Sequence, residues 1–116
     1  MLQITNKHRI FLVVQAIDFR KGLNSLVALC SQQLQFDPMS GHFFMFRNRK
    51  ATSIKVLAYD SQGFWLCQKR LSAGAFKGWP KSAYTVVSLN APQLNILLNN
   101  GDPAIMNYEE WQSIDD

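Results

Sequence analysis

The sequence predicts an α+β domain in which an antiparallel sheet, containing a three-stranded meander, packs against one long helix and one short C-terminal helix. Three observations carry this reading. Apolar residues recur at helical spacing from Phe19 to Leu34. Runs rich in β-branched and aromatic residues, separated by Gly, Asp and Ser turns, follow from His42 to Leu71. A second, shorter helical stripe is framed by Asn90 and Asn100-Gly101.

Residues Arg9 to Ala16 are rich in Ile, Phe and Val and predict the first strand. Asp18 stands where a helix N-cap would, and Phe19, Leu23, Leu26, Val27, Cys30 and Leu34 form one apolar face behind it. The breakers Asp37-Pro38 and Ser40-Gly41 predict the helix end near Phe36. The meander strands are His42–Arg47, Ser53–Tyr59 and Phe64–Leu71, with Gly63 expected at the left-handed position of the Asp60–Gly63 turn. Alternation puts Ile54, Val56 and Ala58 on one face of the middle strand. Lys55, Leu57 and Tyr59 fall on the other, a mixed face expected to be partly solvated. After a loop over Ser72–Lys81, Tyr84–Leu89 predicts a short strand. Asn90, Pro92 and Gln93 then form a capping-box start for a helix carrying Leu94, Leu97 and Leu98. Residues 1–101 are read as a single domain and 102–116 as an acidic, loosely held tail, with a short helix around Tyr108–Ile114 as one option.

Charge is divided along the chain. The net charge is +4, but all twelve Lys and Arg lie at or before Lys81, and the five acids after that point face no base. A basic body with an acidic tail suits a polyanionic partner, and also suits an ordinary solvated surface. Two clusters are candidates for phosphate contact. Arg20 and Lys21 are expected in the first turn of the long helix, where free backbone N–H groups favour anions. Arg47, Arg49, Lys50 and Lys55 fall on a strand end and hairpin connection, with Lys69 and Arg70 on the neighbouring strand end. For Arg20 the alternative is an internal ion pair with Asp18, Asp37 or Asp60. The interleaved aromatics Phe43, Phe44, Phe46, Tyr59, Phe64 and Trp65 fit base stacking or, more commonly, core packing.

Catalytic chemistry has little to stand on. A metal-dependent nuclease would need Asp18, Asp37 and Asp60 on one ion, yet each has a cap or turn role. His8 and His42 lack triad or metal-ligand partners in sequence, and Cys30 and Cys67 read as small core residues. No phosphate loop, dinucleotide fingerprint or zinc motif is present. No run approaches a membrane span, so a cytoplasmic protein without catalytic residues, cofactor or metal is expected.

Asp18-Phe19-Arg20-Lys21-Gly22-Leu23 and the run Asp37 to Arg49 resemble the signatures of a family: the TnpB-type accessory proteins of the insertion sequence sixty-six family of bacterial transposable elements. Lys55, Asp60, Gly63-Phe64-Trp65-Leu66, Lys69-Arg70-Leu71, Gly74, Phe76 and Trp79-Pro80 follow in the family's order. The chain departs from the pattern at Ala58-Tyr59, at Lys77-Gly78 and after Asn100. The resemblance implies a non-catalytic transposition accessory protein encoded beside a separate transposase. DNA is the expected partner. The alternative is a module that docks onto the element's transposase without touching DNA.

Overall fold

Ile10, Phe11, Leu12 and Val13 are all buried, on both faces of a sheet, and form its central strand β1 (Ile10–Val13). The computed structural model describes residues 7–100 and the backbone of Glu109 and Glu110. After β1 come α1 (Leu23–Ala28), which continues as a π-helical turn over Leu29–Gln33, then β2 (Phe43–Arg47), β3 (Ser53–Tyr59) and β4 (Phe64–Arg70). β5 (Val86–Leu89), α2 (Ala91–Leu98) and the two-residue β6 (Glu109–Glu110) complete the described chain. The strand order is β4-β3-β2-β1-β5-β6.

The meander β2-β3-β4 forms as predicted, but the sheet is mixed rather than antiparallel. β1 pairs parallel with β2, placing Ile10 opposite Phe43 and Leu12 opposite Met45, and antiparallel with β5. The cause is visible in burial. β1, β5 and four of the five β2 residues are buried without alternation, which requires cover on both faces, as parallel strands usually have.

Two layers supply that cover. Ile10, Leu12, Val14, Phe43, Met45, Ile54 and Ala58 pack with Leu94 and Leu97 of α2 and with Phe76 and Trp79 of the connection between β4 and β5. On the other face, Phe11, Val13, Phe44, Phe46 and Leu57 pack against Leu26, Cys30 and Leu34. The expected alternation in β3 therefore holds, but its second face is covered over most of its length: Lys55 and Leu57 are both buried, and Tyr59 at the end of the strand is half-buried.

The first helix is short. Asp18 does not cap it; Gly22, in extended conformation, is the N-cap, and Phe19, Arg20 and Lys21 belong to the preceding loop. The helix loosens at Leu29, where Leu34 N–H bonds five residues back to the Leu29 carbonyl, and Gln35 at φ 57° stops it. α2 forms as read, with the complete capping box of Asn90 and Gln93. In the Asp60–Gly63 turn the left-handed residue is Ser61, at φ 80°, not Gly63. Cys67 lies half-buried on β4 instead of in the core.

Glu109 and Glu110 extend the sheet against Ser88 and Val87, so at those two residues the chain is strand and not helix. The rest of the expected tail helix, and the expected boundary after residue 101, lie outside the described residues. Among the described residues no helix is long and apolar enough to cross a membrane.

Candidate nucleic-acid interface

The parallel pairing of β1 and β2 delivers the connections that follow both strands to the same end of the sheet. The β4–β5 connection lies there too, because β3 and β4 are antiparallel to their neighbours and β5 is antiparallel to β1. Nine of the twelve basic residues belong to this end: Arg20 and Lys21 before α1, Arg47, Arg49 and Lys50 in the β2–β3 turn, Lys69 and Arg70 at the end of β4, and Lys77 and Lys81 beyond it. Among the described residues of these connections only Asp18 is acidic; Asp37 and Asp60 belong to connections at the opposite end.

Backbone hydrogen bonds tie the connections together. Ile17 N–H donates to the Arg47 carbonyl at 3.0 Å, Phe76 N–H to Ala51 at 2.7 Å, and Val14 N–H to Thr85 at 3.0 Å. Trp79 closes the assembly from within, its indole N–H donating to the Val13 carbonyl at 3.2 Å. The β2–β3 turn is organised by Asn48. Its Oδ1 accepts from Thr52 and Ser53 N–H groups, and its Nδ2 donates to Thr52 Oγ1 at 2.8 Å. The exposed Arg49 and Lys50 thus stand on a braced turn.

A groove of about 760 Å³ opens between Gln15–Arg20 and Arg47–Lys50. A second, of about 380 Å³, shares Gln15 and Arg47 with it and adds Lys77 and Lys81. Arg47 stands between them. Its Nε donates to the Val14 carbonyl at 3.1 Å and its Nη1 to the Arg49 carbonyl at 3.1 Å, which fixes the guanidinium in place.

The structure therefore brings four of the eight predicted contact residues, Arg20, Arg47, Arg49 and Lys50, to one groove. Lys21, Lys69 and Arg70 line neither groove, and Lys69 Nζ donates to the Leu98 carbonyl at the end of α2, 3.2 Å away. Lys55 is a different kind of residue. It is 7% exposed, its Nζ donates to the carbonyls of Phe19 (2.8 Å) and Lys21 (3.0 Å), and it lies 4.8 Å from the Phe19 ring centroid. Its charge is spent holding the loop before α1 onto the sheet, so it cannot reach a phosphate. The helix-terminus phosphate site expected of Arg20 and Lys21 does not form, because both precede Gly22.

Arg20 pairs with Asp18, one of the three acids anticipated, but on the surface and not inside the fold. Nε lies 3.1 Å from each carboxylate oxygen and Nη2 lies 2.8 Å from Oδ2. The side-chain hydrogen bond from Arg20 holds the Asp18 carboxyl at about 2, below its ordinary 3.8, so it is ionised at neutral pH. The Arg20 side chain remains 91% exposed and keeps guanidinium surface for an anion.

Asp37 and Asp60 keep their turn roles. Asp37 Oδ1 accepts from Met39 N–H, and Asp60 Oδ1 accepts from Gln62 and Gly63 N–H. The Trp65 indole N–H, 2.6 Å from Asp60 Oδ2, is the main cause of that carboxyl's lowered pKa. No group of three His, Cys, Asp or Glu side chains able to hold a metal exists among the described residues. Phe43, Phe44 and Phe46 are core residues, whereas Trp65 is 40% exposed.

Sequence reasoning missed Lys77, Lys81 and Gln15, which lie in connections with no periodicity, and missed the bracing roles of Asn48 and Trp79. The repeated amide–hydroxyl pattern Asn48…Thr52-Ser53 was the one available signal for the braced turn.

Residues 8–107 match the family described as IS66 Orf2-like proteins. Among curated proteins, the uncharacterized protein y4hO of Sinorhizobium fredii is 32% identical over 102 residues, covering 88% of each chain. The uncharacterized protein y4jC of the same organism is 38% identical over 68 residues, covering 59% of this chain and 58% of its own. No solved structure matches the chain.

Proposed function

The chain belongs to the family of IS66 Orf2-like proteins, and we propose that it serves its element as a non-catalytic transposition accessory protein that binds DNA through the basic end of the sheet. The observation that carries this reading is the gathering of Arg20, Arg47, Arg49 and Lys50 on one groove, continued by Lys77 and Lys81 on the next. These cations come from three separate connections, so folding concentrates a charge that the sequence disperses. Such a surface suits phosphates in register along a backbone and carries no base-reading signature, so affinity is expected to exceed sequence preference.

A duplex titration at several salt concentrations tests the proposal. Five phosphate contacts give a log–log slope of about −4.5, and replacing Arg49 and Lys50 with Ala makes the slope shallower by about 2. An affinity indifferent to salt, or a slope unchanged in that variant, would reject this interface.

Docking onto the transposase without DNA contact is the rival reading, supported by exposed Trp65 and Tyr84. It predicts capture of the element's transposase that survives nuclease treatment and persists when Arg49 and Lys50 are replaced.

A further inference from the structure

Among the described residues the sheet ends on one side with β6, two residues long, and on the other with β4, seven residues long and paired on one side only. Pairing with β3 runs unbroken from Tyr59–Phe64 to Ser53–Arg70, so neither bulge nor proline blunts the free edge, as edges commonly are blunted.

Two hydrogen bonds fix which backbone groups face outward. Asp60 N–H donates to the Gly63 carbonyl and Leu71 N–H to the Thr52 carbonyl. Alternation from both ends turns the N–H and C=O groups of Trp65, Cys67 and Lys69 toward β3. Those of Phe64, Leu66, Gln68 and Arg70 are turned to the open side. Among the described residues no other segment bonds to these four.

The geometry points to β4 as the pairing edge of a homodimer, joined antiparallel to β4 of a second copy about a two-fold axis at Cys67. Cys67 is the midpoint of the strand, so this register alone pairs all seven residues. A shift by one residue would set outward groups against inward ones. The register is also chemically self-complementary. Trp65 lies opposite the partner's Lys69, Phe64 opposite the partner's Arg70, and Leu66 opposite the partner's Gln68. Each basic side chain is set opposite an aromatic one, a favourable pairing. A parallel pairing would instead set Lys69 and Arg70 beside their own copies, which is unfavourable. The joined sheet is continuous through the axis, and the two basic ends face away from each other. None of this depends on what the grooves bind.

Cys67 makes the arrangement readable. It falls at a non-hydrogen-bonded pair, where Cα atoms lie about 4.5 Å apart, within disulfide reach. The other thiol, Cys30, is fully buried. The expected results for the full chain are a light-scattering mass near twice 13.3 kDa at high micromolar concentration, and a diamide cross-link that forms in Cys30→Ser and not in Cys67→Ser. Gln68→Pro removes an outward N–H while leaving the β3 ladder intact. It should raise the dimer dissociation constant by roughly tenfold or more, with the far-ultraviolet spectrum unchanged. Hydrogen exchange gives a second readout: the Leu66 and Gln68 amides should gain protection with concentration, and the Trp65 and Cys67 amides should not. A monomer at every concentration, or a dimer indifferent to Gln68→Pro, overturns the proposal.

Discussion

The Nε of Arg47 donates to the carbonyl oxygen of Val14 across 3.1 Å, joining the end of β2 to the end of β1 where the two grooves meet. One guanidinium thus closes a backbone gap and offers charge to both grooves.

Replacing Arg47 should therefore affect two properties at once. Arg47→Ala is expected to lower stability by about 1–3 kcal/mol, the range for losing charge-assisted bonds to carbonyls, and to weaken DNA binding. Arg47→Lys should recover little of either, since an ammonium cannot reproduce the fork. Denaturant midpoints and duplex titrations check both.

Lys55 should behave in the opposite way. Its removal strands the carbonyls of Phe19 and Lys21, so Lys55→Ala should cost about 2–4 kcal/mol of stability. The salt slope of DNA binding should stay unchanged where the protein is still folded, because Lys55 lies inside.

His42 gives the fold a pH dependence. Its Nδ1 accepts from the Arg9 N–H at 3.2 Å, which requires the neutral ring. Desolvation first, then the charges of Arg9 and His8, push its pKa below 6.5. The sign follows from the unfolded chain binding the proton more readily. The stabilising contribution is complete above about pH 6.5 and is lost as pH falls through the lower folded value. NMR titration of His42 should show the depressed midpoint, and the denaturation midpoint should drop on acidification less steeply in His42→Asn.

The capping box of α2 is worth a measurable amount. Asn90 Oδ1 accepts from Gln93 N–H at 2.8 Å and Gln93 Oε1 accepts from Asn90 N–H at 2.9 Å. Asn90→Ala should cost about 0.5–2 kcal/mol, read as a shifted denaturation midpoint at constant slope.

β6 runs antiparallel to β5 and hence toward the basic end. Asp115 and Asp116 follow it in sequence. Their replacement with Asn should tighten DNA binding at low salt and have little effect at high salt, where screening removes the competition. Equal affinities at low salt would count against an electrostatic role for the tail.

The meander, the capping box and the turn aspartates were legible because their signals are local: strand alternation, an Asn-x-x-Gln spacing, Asp before Pro or Gly. The parallel pairing was not, although the unbroken apolar runs Ile10–Val13 and Phe43–Phe46 contained its signature. Strands buried on both faces lose the alternation that would assign them a side. The first helix was overextended because Phe19 and Leu23 continue the spacing of Leu26 and Cys30, yet Phe19 reaches the core from a loop. Lys55 could not be told from Arg49 or Lys50 by residue type; only the covering layer over β3 separates an internal ammonium from a solvent-facing one.

The position of β1 also dictates the order of assembly. Its partners on either side, β2 and β5, lie more than thirty and more than seventy residues further along the chain. The two hairpins of the meander need only neighbouring sequence and can form early, at small loop-closure cost. The N-terminal strand must wait for Leu89 to be synthesised before both its edges are satisfied. Translation that stalls before that point would leave a folded ribbon beside an orphaned, strongly apolar strand, and chaperone capture or degradation would be concentrated on those incomplete chains.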